Sequence, residues 1–489
     1  MENNEYRTKE AVLSKALELV AAQIPFRELD INNRLRGRNK GDLGQIVEEG
    51  WYNYHVNSES EPDFSEAGVE LKVSPYKTLK DGQKSAKERL VCGIINYMDE
   101  AGKSFEESAF WHKCKCMCLL SYEWFPESVR GDLFADHATL IDGYPEEDLL
   151  IMKNDFDIIM KMIMEGRAHE LSEGMTQYLA PCTKGSTAEA SIRPQPFSDT
   201  PAKQRAYSLK TTYMTRLLRK YVFGEEENEH IIKNISALET HSLEEILEET
   251  IRPYYGKSQR ELKEMFGIEA SSKQLNAMIL QKIFDTSGNI QDTEEFKSAG
   301  IKVKTVRLKL NGTPKESMSF PAFKYMDIIN EEWEDSKFKE EIFPTRFMFV
   351  VFNEDENHEF CLTKVKFWNM PDEDVEKARF IWEDTVDKIK EDRINFRYNQ
   401  KHDCVDNDFI ASKESSNYSV MQEDGSIVKT NMVCHVRPHG RKAAYILKDG
   451  YTKRADEIER LAYPVPNGEW ASPFCFWFND TYIESILED

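Results

Sequence analysis

The chain has 489 residues, more than one ordinary core accommodates, and this length predicts two or three domains. A hydrophobic fraction of 40% with 11% aromatic residues is typical of globular proteins and excludes an intrinsically disordered chain. The net charge of −23 argues against binding nucleic acid with the whole surface, so such a partner would need local clusters of Lys and Arg.

The N-terminal segment and the cysteines bear on the compartment. MENNEYRTKE (1–10) is polar and charged, which argues against a secretory signal peptide. No apolar run approaches the roughly 18–20 residues that span a bilayer. The nine cysteines form no compact disulfide framework, which is typical of a reducing compartment. We therefore expect a cytoplasmic protein without a membrane partner.

In chain order, the first segment that carries chemistry is PDFSEAGVELKV (62–73). Gly68 supplies a tight turn, because Gly tolerates positive φ, and the next five residues alternate like a half-buried strand. Glu70 and Lys72 then share one face, and Asp63 across the turn can bring its carboxylate near Glu70. Two carboxylates and an ammonium so gathered can hold Mg2+ and position a water. The alternative is a charged surface strand, since Glu-x-Lys is a common pattern.

A second apolar run, HKCKCMCLLSYEW (112–124), is predicted to be a strand. Cys114, Cys116 and Cys118 would share its buried face, and Lys113 would lie on the opposite face. Buried thiols are favoured over a zinc site, because no second pair of cysteines stands at zinc-ligand spacing.

Positive charge is concentrated further along the chain. Residues 200–224 contain no Asp or Glu and carry these basic residues: Lys203, Arg205, Lys210, Arg216, Arg219 and Lys220. Such a stretch is typical of contacts to DNA phosphates or, equally, of the solvated faces of amphipathic helices. The acidic run EEENE (225–229) that follows is predicted to be a solvated linker between domains.

The sequence repeats itself across this acidic run. EEFKSAGIKVKT (294–305) matches the segment around Asp63 after a shift of 232 positions. Further blocks keep the same order: LGQIVE (43–48) on LNAMIL (275–280), HKCKCMCLLSYEW on FPTRFMFVVFNED (343–355), SIRPQP (191–196) on HVRPHG (435–440), and YSLKTTYMTRLL (207–218) on FWFNDTYIESIL (476–487). This tandem duplication predicts two similar domains of about 220–250 residues.

The second copy has lost its acids. The changes at the aligned positions are Asp63 to Glu295, Glu70 to Lys302, Glu48 to Leu280 and Lys113 to Pro344. A lysine in place of a ligating carboxylate sets like charge against a cation, so the second copy is predicted to hold no metal. Ordinary surface charges would show no such pattern of loss, and the pattern favours a true metal site at Asp63 and Glu70.

Five blocks fall in the order found in MutH, the strand-nicking endonuclease of mismatch repair: GDLGQIVEE, PDFSEAGVELKV, HKCKCMCLL, DFDIIMKMIMEGRAHEL and YSLKTTYMTRLLRKY. A MutH-like half followed by a degenerate one resembles the type II restriction endonucleases that cut GATC, members of the PD-(D/E)xK superfamily. The resemblance implies an α/β fold of two tandem restriction-endonuclease-like (MutH-like) domains, each a central mixed β-sheet flanked by helices. The implied boundaries are a catalytic domain at 1–222, an acidic linker at 223–240 and a degenerate DNA-binding effector domain at 241–489.

The resemblance also implies roles for five residues. Asp63 and Glu70 would be metal ligands, and Lys72 would be the catalytic lysine. Glu48, on the predicted helix LGQIVEE, matches an additional acid beside the metal, and Lys113 matches a further lysine near the reacting phosphate. The implied ion is Mg2+, which polarises the phosphoryl oxygen and lowers the pKa of bound water. The lysines would offset the charge of the transition state, and Lys72 would orient or deprotonate the attacking water.

The residues that would read DNA follow from the same resemblance. MutH uses an Ile-Arg-Pro-Lys loop to help read GATC, and here Pro181–Lys184 stands in its place, so that Lys184 matches the lysine of the loop. Arg193 is a candidate guanine reader, because Arg makes paired bonds to guanine O6 and N7. Ser208 replaces the tyrosine that the family has before Leu-Lys. The other predicted DNA contacts are Lys203, Arg205 and Lys210.

Together these features predict a type II restriction endonuclease that cleaves double-stranded DNA at GATC with Mg2+ and leaves 5′-phosphate ends. The enzyme is expected to be a monomer able to engage two sites, and its family implies a companion DNA methyltransferase. One alternative is a methyl-directed GATC nicking endonuclease of mismatch repair, which is a single domain and has no use for the second copy. Another is a non-catalytic DNA-binding regulator, which has no need of the five site residues.

Overall fold

The computed structural model describes residues 6–36, 42–54, 61–184, 191–269, 274–343, 345–422, 425–439 and 442–488. The chain forms two compact units. The first unit comprises Met1–Thr250 and Leu280–Ile301, and the second comprises Ile251–Ile279 and Lys302–Asp489. The segment 280–301 therefore belongs to the first unit although it opens the second copy of the repeat. The domain boundaries at 222 and 241 stay a prediction.

Helices begin and end at the following residues: α1 (Lys9–Ala22), α2 (Phe26–Leu29), α3 (Asp42–Gly50), α4 (Tyr97–Glu100), α5 (Ala109–Cys114), α6 (Glu146–Met164), α7 (Thr211–Leu217), α8 (Leu243–Ile251), α9 (Gln259–Met265), α10 (Leu275–Ile283), α11 (Glu294–Ala299), α12 (Tyr325–Ile328), α13 (Lys337–Ile342), α14 (Asp372–Lys390), α15 (Ser412–Ser415), α16 (Ile458–Leu461) and α17 (Asp480–Glu488). Across the described ranges, none of these helices is long and apolar enough to cross a membrane.

The strands are β1 (Glu70–Thr78), β2 (Lys84–Ala86), β3 (Leu90–Ile94), β4 (Cys116–Glu123), β5 (His137–Asp142), β6 (Leu179–Thr183), β7 (Ile192–Gln195), β8 (Ser198–Lys203), β9 (Arg205–Leu209), β10 (Ile301–Leu308), β11 (Met318–Ser319), β12 (Arg346–Glu354), β13 (Phe360–Trp368), β14 (Arg397–Asn399), β15 (Cys404–Asp406), β16 (Tyr418–Met421), β17 (Ile427–Thr430), β18 (Cys434–Pro438), β19 (Tyr445–Ile446), β20 (Thr452–Lys453), β21 (Tyr463–Pro464), β22 (Trp470–Ala471) and β23 (Phe474–Phe478).

The first unit is built on a mixed sheet of order β2-β1-β4-β5, in which β1 and β4 run parallel and the outer pairs are antiparallel. Every residue of β4 except Glu123 is buried, because β4 lies at the centre of this sheet. Helices α1 and α3 bury apolar side chains such as Leu19 and Ile46 in the same core. A second, antiparallel sheet has the order β3-β9-β6.

The second unit repeats this plan. Its sheets have the orders β10-β12-β13 and β11-β23-β18, which match β1-β4-β5 and β3-β9-β6 of the first unit. Helix α14 matches α6, and both contain 19 residues. The turn glycines match as well, since Gly68 and Gly300 have φ of +65° and +67°. The predicted α/β fold with two tandem similar domains is confirmed.

One block of the repeat was aligned wrongly. The prediction paired SIRPQP with HVRPHG, but Arg193 lies in β7, which forms a hairpin with β8. Arg437 instead lies in β18, which pairs with β23 as β6 pairs with β9. Strands β9 and β23 each end two residues before the first residue of the following helix, α7 or α17. When these strand ends are superposed, the pairing register places Arg437 at the position of Cys182.

The run HKCKCMCLL is not one strand. Its first residues, including Lys113 and Cys114, end helix α5, and β4 begins only at Cys116. Ser108 caps α5 by accepting from the N–H of Trp111. A helix cap of this kind overrides the strand-like alternation of the residues that follow.

The glutamates of the acidic run at 225–229 are exposed, as predicted for a solvated segment, but the run is tied to helix α11. Its role as a linker between domains stays a prediction. Asn228 donates through its backbone N and its Nδ2 to Glu294, at 2.9 and 2.8 Å. Just beyond the run, the backbone N–H groups of Ile231 and Ile232 donate to Glu295 at 2.9 and 3.2 Å. Helix α11 thus fastens this part of the chain within the first unit.

Candidate active site

The turn before β1 holds Asp63 beside the start of the strand. Gly68 takes the positive φ that the turn requires, which Gly does at little steric cost. Phe64 is buried, and its ring lies 4.8 Å from that of Tyr52, centroid to centroid. Because Phe64 is anchored in the core, the neighbouring Asp63 is fixed relative to Glu70.

Asp63 and Glu70 are joined by reciprocal hydrogen bonds across the turn. The backbone N–H of Asp63 donates to Glu70 Oε2 at 3.2 Å. In return, Asp63 Oδ2 accepts from the backbone N–H of Leu71 at 2.9 Å. The structure therefore brings together the two carboxylates that the sequence predicts as metal ligands.

Both predicted lysines meet the same carboxylate oxygen. Lys72 Nζ lies 2.7 Å and Lys113 Nζ 3.6 Å from Glu70 Oε1. Glu70 is 2% exposed, so these charges interact away from bulk water. Burial favours the neutral amine of Lys72, but the charge of Glu70 outweighs it and raises the pKa of this lysine above its ordinary value. Lys72 is thus held as an ammonium.

Glu48 completes a group of three acids. It lies near the end of α3 and is buried. Burial, followed by the charges of Asp63 and Glu70, raises the pKa of Glu48 to about 7. Burial and then Glu70 raise the pKa of Asp63 to about 6. Acids crowded in this way repel one another, and a divalent cation would relieve that repulsion.

The donor set therefore suits a divalent ion, since oxygen ligands of this kind are what Mg2+ prefers. Among the described residues, however, no three His, Cys, Asp or Glu side chains converge on one point as metal ligands would. Asp63 instead accepts from the backbone N–H of Leu71, and Glu70 accepts from Lys72.

The buried surface beside Lys72 was not predicted from the sequence. Cys92 on β3 and Cys114 at the end of α5 are fully buried beside this lysine. Cys114 Sγ lies 3.8 Å from the carbonyl oxygen of Cys92. The two cysteines come from different elements, and the packing of α5 against β3 brings them together.

The second copy of the repeat has no carboxylate at the positions of Glu48 and Glu70. Lys302 stands at the position of Glu70 and pairs with Glu341 at 2.6 Å, and Leu280 stands at the position of Glu48 as a buried apolar residue. Lys304 lies 5.6 Å from the ring centroid of Phe320. Burial, together with the charge of Lys302, lowers the pKa of Lys304. Pro344 falls outside the described residues.

The predicted DNA contacts divide into two groups. Lys184, Arg193 and Lys203 are exposed, the first at the end of β6 and the others on the β7–β8 hairpin. Arg205 and Lys210 are 2% and 5% exposed. The prediction that these two contact DNA was wrong, because their charged ends are buried inside the protein.

Their actual roles are structural. Arg205 Nη1 donates to the carbonyl of Pro181 at 3.1 Å, and Lys210 Nζ donates to the carbonyl of Thr176. In the second unit Asn479 stands at the position of Lys210 and donates to Asn431 Oδ1 at 2.8 Å. In both units, the residue that follows β9 or β23 thus donates a hydrogen bond to the segment that precedes the neighbouring strand, β6 or β18.

The rest of the 200–224 stretch is also less available than predicted. Arg216 is buried in α7 between Asp148 of α6 and Glu294 of α11. Arg219 Nε donates to the carbonyl of Lys84 at 2.8 Å. The stretch is therefore mainly a source of internal ion pairs, with Lys203 as its exposed cation near the hairpin.

Comparisons with known proteins fit this geometry. A family model described as DNA mismatch repair enzyme MutH matches residues 52–155 and again residues 284–381. The two matches begin 232 positions apart, which is the shift found within the sequence. The MutH-like region thus occurs twice in the chain, once with all three acids and once without those at the positions of Glu48 and Glu70.

Two curated relatives mark the range of similarity. The type II restriction enzyme Sau3AI of Staphylococcus aureus is 38% identical over 508 aligned positions, covering 99% of this chain and 99% of its own. The DNA mismatch repair protein MutH of Shewanella woodyi is 28% identical over 196 positions, which cover 38% of this chain and 79% of its own. The chain therefore belongs to the MutH-like type II restriction endonucleases, and it is a site-specific deoxyribonuclease with two MutH-like regions.

Proposed function

We propose that the enzyme cleaves both strands of double-stranded DNA at GATC by Mg2+-dependent hydrolysis of a phosphodiester, leaving 5′-phosphate ends. The observation that carries this proposal is the meeting of Lys72 and Lys113 at one oxygen of Glu70, with Asp63 across the turn. Carboxylates and ammonium groups gathered at one buried point suit phosphoryl transfer, because the negative charge of the transition state must there be offset by protein groups and not by bulk solvent.

Each site residue has a separate task. Glu48, Asp63 and Glu70 would hold the ion, which when bound supplies Lewis acidity and a water of lowered pKa. Lys72 and Lys113 place positive charge where the phosphorane gains negative charge. Lys72, which lies 2.7 Å from Glu70 Oε1, would orient or deprotonate the attacking water.

The exposed cations of the first unit would make the contacts that recognise GATC. Arg193 lies on the β7–β8 hairpin, and Arg is suited to the O6 and N7 of guanine. Lys184, at the end of β6, is the second candidate for base contact. Lys203 closes the hairpin and is placed as a phosphate contact, which fixes position without reading sequence.

The second unit would serve as an effector that binds another GATC site. The second copy lacks the carboxylates of Glu48 and Glu70, yet the unit keeps the strand order of the first, so its use would be in binding and not in chemistry. A monomer would then hold two sites at once, and the bound second site would favour the active state by a coupling free energy. A host of this enzyme would need a companion methyltransferase to protect its own GATC sites.

Two alternatives are weaker. Against a methyl-directed nicking endonuclease, the Shewanella woodyi MutH aligns with only 38% of this chain. Against a non-catalytic regulator, the first unit keeps all five predicted site residues, which a DNA-binding scaffold does not need. An unmethylated GATC plasmid that stays nicked at the end-point would favour the nicking enzyme, and binding without cutting would favour the regulator.

The proposed chemistry is tested by Asp63→Asn and Glu70→Gln in full-length protein. Both variants should lose cleavage while retaining affinity for GATC, because the ligands serve the transition state more than docking. Glu66→Gln is a matched control, since Glu66 lies in the same turn with its side chain 63% exposed and pairs only with Arg7. Mapping the DNA ends produced with Mg2+, with an EDTA digest as the metal-free control, identifies the cleaved sequence. Substantial cutting by either variant would remove the proposed site.

The effector role is tested by comparing plasmids with one and with two GATC sites. The two-site plasmid should be cut faster, and a short GATC duplex should rescue the single-site plasmid. Equal rates on both plasmids, with no effect of the duplex, would reduce the second unit to a scaffold.

A further inference from the structure

The turn of the β7–β8 hairpin in the first unit holds a phenylalanine in a conformation that bulky residues avoid. Gln195 pairs with Ser198, so Pro196 and Phe197 are the two central residues of this turn. Phe197 has a φ of +62°. A proline followed by positive φ is the pattern of a type II turn, in which glycine is the usual second central residue. A side chain there strains the backbone, because its Cβ crowds the following carbonyl oxygen.

The packing of the ring does not offset this strain. Phe197 is 70% exposed, more than any other described phenylalanine, whereas the preceding Pro196 is buried. Within the described part of the chain, the ring has no aromatic and no cation–π partner. Backbone strain of this kind is concentrated at sites where a ligand is held. An exposed aromatic ring on a strained turn therefore indicates contact with a ligand.

The surrounding structure holds the turn in place. Gln195 is 5% exposed, its Oε1 accepts from the backbone N–H of Ala168 at 2.7 Å, and its Nε2 lies 3.0 Å from His169 Nδ1. Gly166, two residues beyond α6, lies so close to the turn that a Cβ at this position would be 2.6 Å from the carbonyl oxygen of Phe197. The turn is thus fixed to the end of α6, and the exposed ring stands on a rigid support.

The charge of the hairpin suits duplex DNA as the ligand. Its strands carry the exposed cations Arg193 and Lys203 and one exposed acid, Asp199. Lys184, at the end of the preceding strand β6, is also exposed. Cations of this kind contact phosphates, but an apolar ring needs apolar surroundings. The outside of a duplex presents phosphates and polar base edges, so the space that suits a whole ring lies between stacked base pairs.

We propose that Phe197 inserts its ring between two adjacent base pairs of bound duplex DNA and kinks the duplex at that step. Apolar wedges of this kind partly unstack one base step, and the bent duplex then contacts more of the protein surface. The cost of unstacking depends on the sequence at the step, so the wedge adds discrimination at positions that no side chain touches. The inference rests on the proposed contact of the hairpin with DNA and adds deformation of the duplex to it.

Unstacking is measured with the fluorescent adenine analogue 2-aminopurine. Full-length protein without Mg2+ is titrated with short GATC duplexes that carry the analogue at one position each, scanned across the site and its flanks. Wild-type protein should raise the fluorescence at one or two adjacent positions. Phe197→Ala should abolish this rise and weaken binding by about 5- to 150-fold, the range for one base stacked on an aromatic side chain.

Two further variants provide the rescue and the control. Phe197→Tyr keeps the ring and should keep both the fluorescence rise and the affinity. Phe125→Ala removes another phenylalanine of the same unit, which is 51% exposed, and should change neither.

Phe197→Gly separates the role in DNA binding from a role in folding. Glycine adopts positive φ at little steric cost, so this variant should keep or raise the wild-type melting temperature while losing the fluorescence rise. A melting temperature clearly below that of wild type would show that the ring is structural and would overturn the proposal.

The remaining outcomes separate the wedge from the contact on which it rests. The absence of a rise with wild type, or the same rise with Phe197→Ala, would overturn the wedge. Loss of affinity that disappears when deoxyuracil replaces thymine would show a contact with the thymine methyl group and would also overturn it. A reduced salt slope in Lys203→Ala without any unstacking would refute the wedge alone. Unchanged binding in both Lys203→Ala and Phe197→Ala would remove the whole hairpin from the DNA interface.

Discussion

Arg216→Met is expected to destabilise the first unit without changing how the enzyme binds DNA. The side chain is 4% exposed, donates through Nη1 to Asp148, and places Nε 3.2 Å from Glu294 Oε1. Asp148 and Glu294 are themselves 1% and 4% exposed, so the substitution leaves two buried carboxylates without their cation. Removing one partner of a buried ion pair costs about 3–5 kcal/mol, and we expect a loss of this size in the free energy of unfolding.

Urea unfolding measures this loss, and Lys220→Met is the matched control. Lys220 pairs with Glu227 at 2.9 Å, but both side chains are 30% exposed, so its removal should cost less than about 1 kcal/mol. Burial already raises the pKa of Asp148 to about 6 in the presence of Arg216. Without that cation the pKa of Asp148 rises further, so the deficit of the variant in the free energy of unfolding should shrink as the pH falls toward 6, where Asp148 of the wild type also takes up a proton. A loss under about 1 kcal/mol, or a weaker salt dependence of DNA binding, would refute the structural role.

Three further predictions concern single residues. Lys72→Met should slow cleavage by about 100- to 1,000-fold with unchanged DNA affinity, measured by single-turnover kinetics; a near-normal rate would make Lys72 a structural lysine. Lys203→Ala should reduce the slope of log affinity against log salt by about 1, whereas Arg205, being buried, should affect stability instead; an unchanged slope would remove Lys203 from the DNA interface. Burial lowers the pKa of His435 from 6.5 to about 4, so the neutral imidazole contributes fully to the free energy of unfolding above pH 6.5, and this contribution is lost as the pH falls toward 4. In urea unfolding across that range, the wild type should lose about 3 kcal/mol of unfolding free energy that His435→Gln does not lose. Parallel pH profiles of the two proteins would contradict this prediction.

The sequence was sufficient for the features that depend on neighbouring residues. Asp63 and Glu70 are seven positions apart, and one glycine turn followed by alternating residues is enough to bring them together. The duplication was visible because its turn, its strand and its long helix keep their order and spacing in both copies. Local geometry of this kind leaves a periodic pattern that can be read without a structure.

Burial of charge could not be predicted in the same way. Arg216 belongs to a stretch without acids, and its partners Asp148 and Glu294 lie 68 and 78 positions away in the sequence. A basic stretch looks the same whether it faces solvent or meets distant carboxylates, so Arg205 and Lys210 were misplaced for the same reason. Lys113 differs, because there a helix cap at Ser108 decided the local structure against the alternation of the following residues.

In the second copy of the repeat, the residues that replace the metal ligands have taken on structural contacts of their own. Glu295, at the position of Asp63, is no longer a spare acid, because it accepts from the N–H groups of Ile231 and Ile232. Lys302, at the position of Glu70, is paired with Glu341. Each altered residue has acquired a structural partner, so restoring one carboxylate would both break an existing contact and leave the other ligands missing.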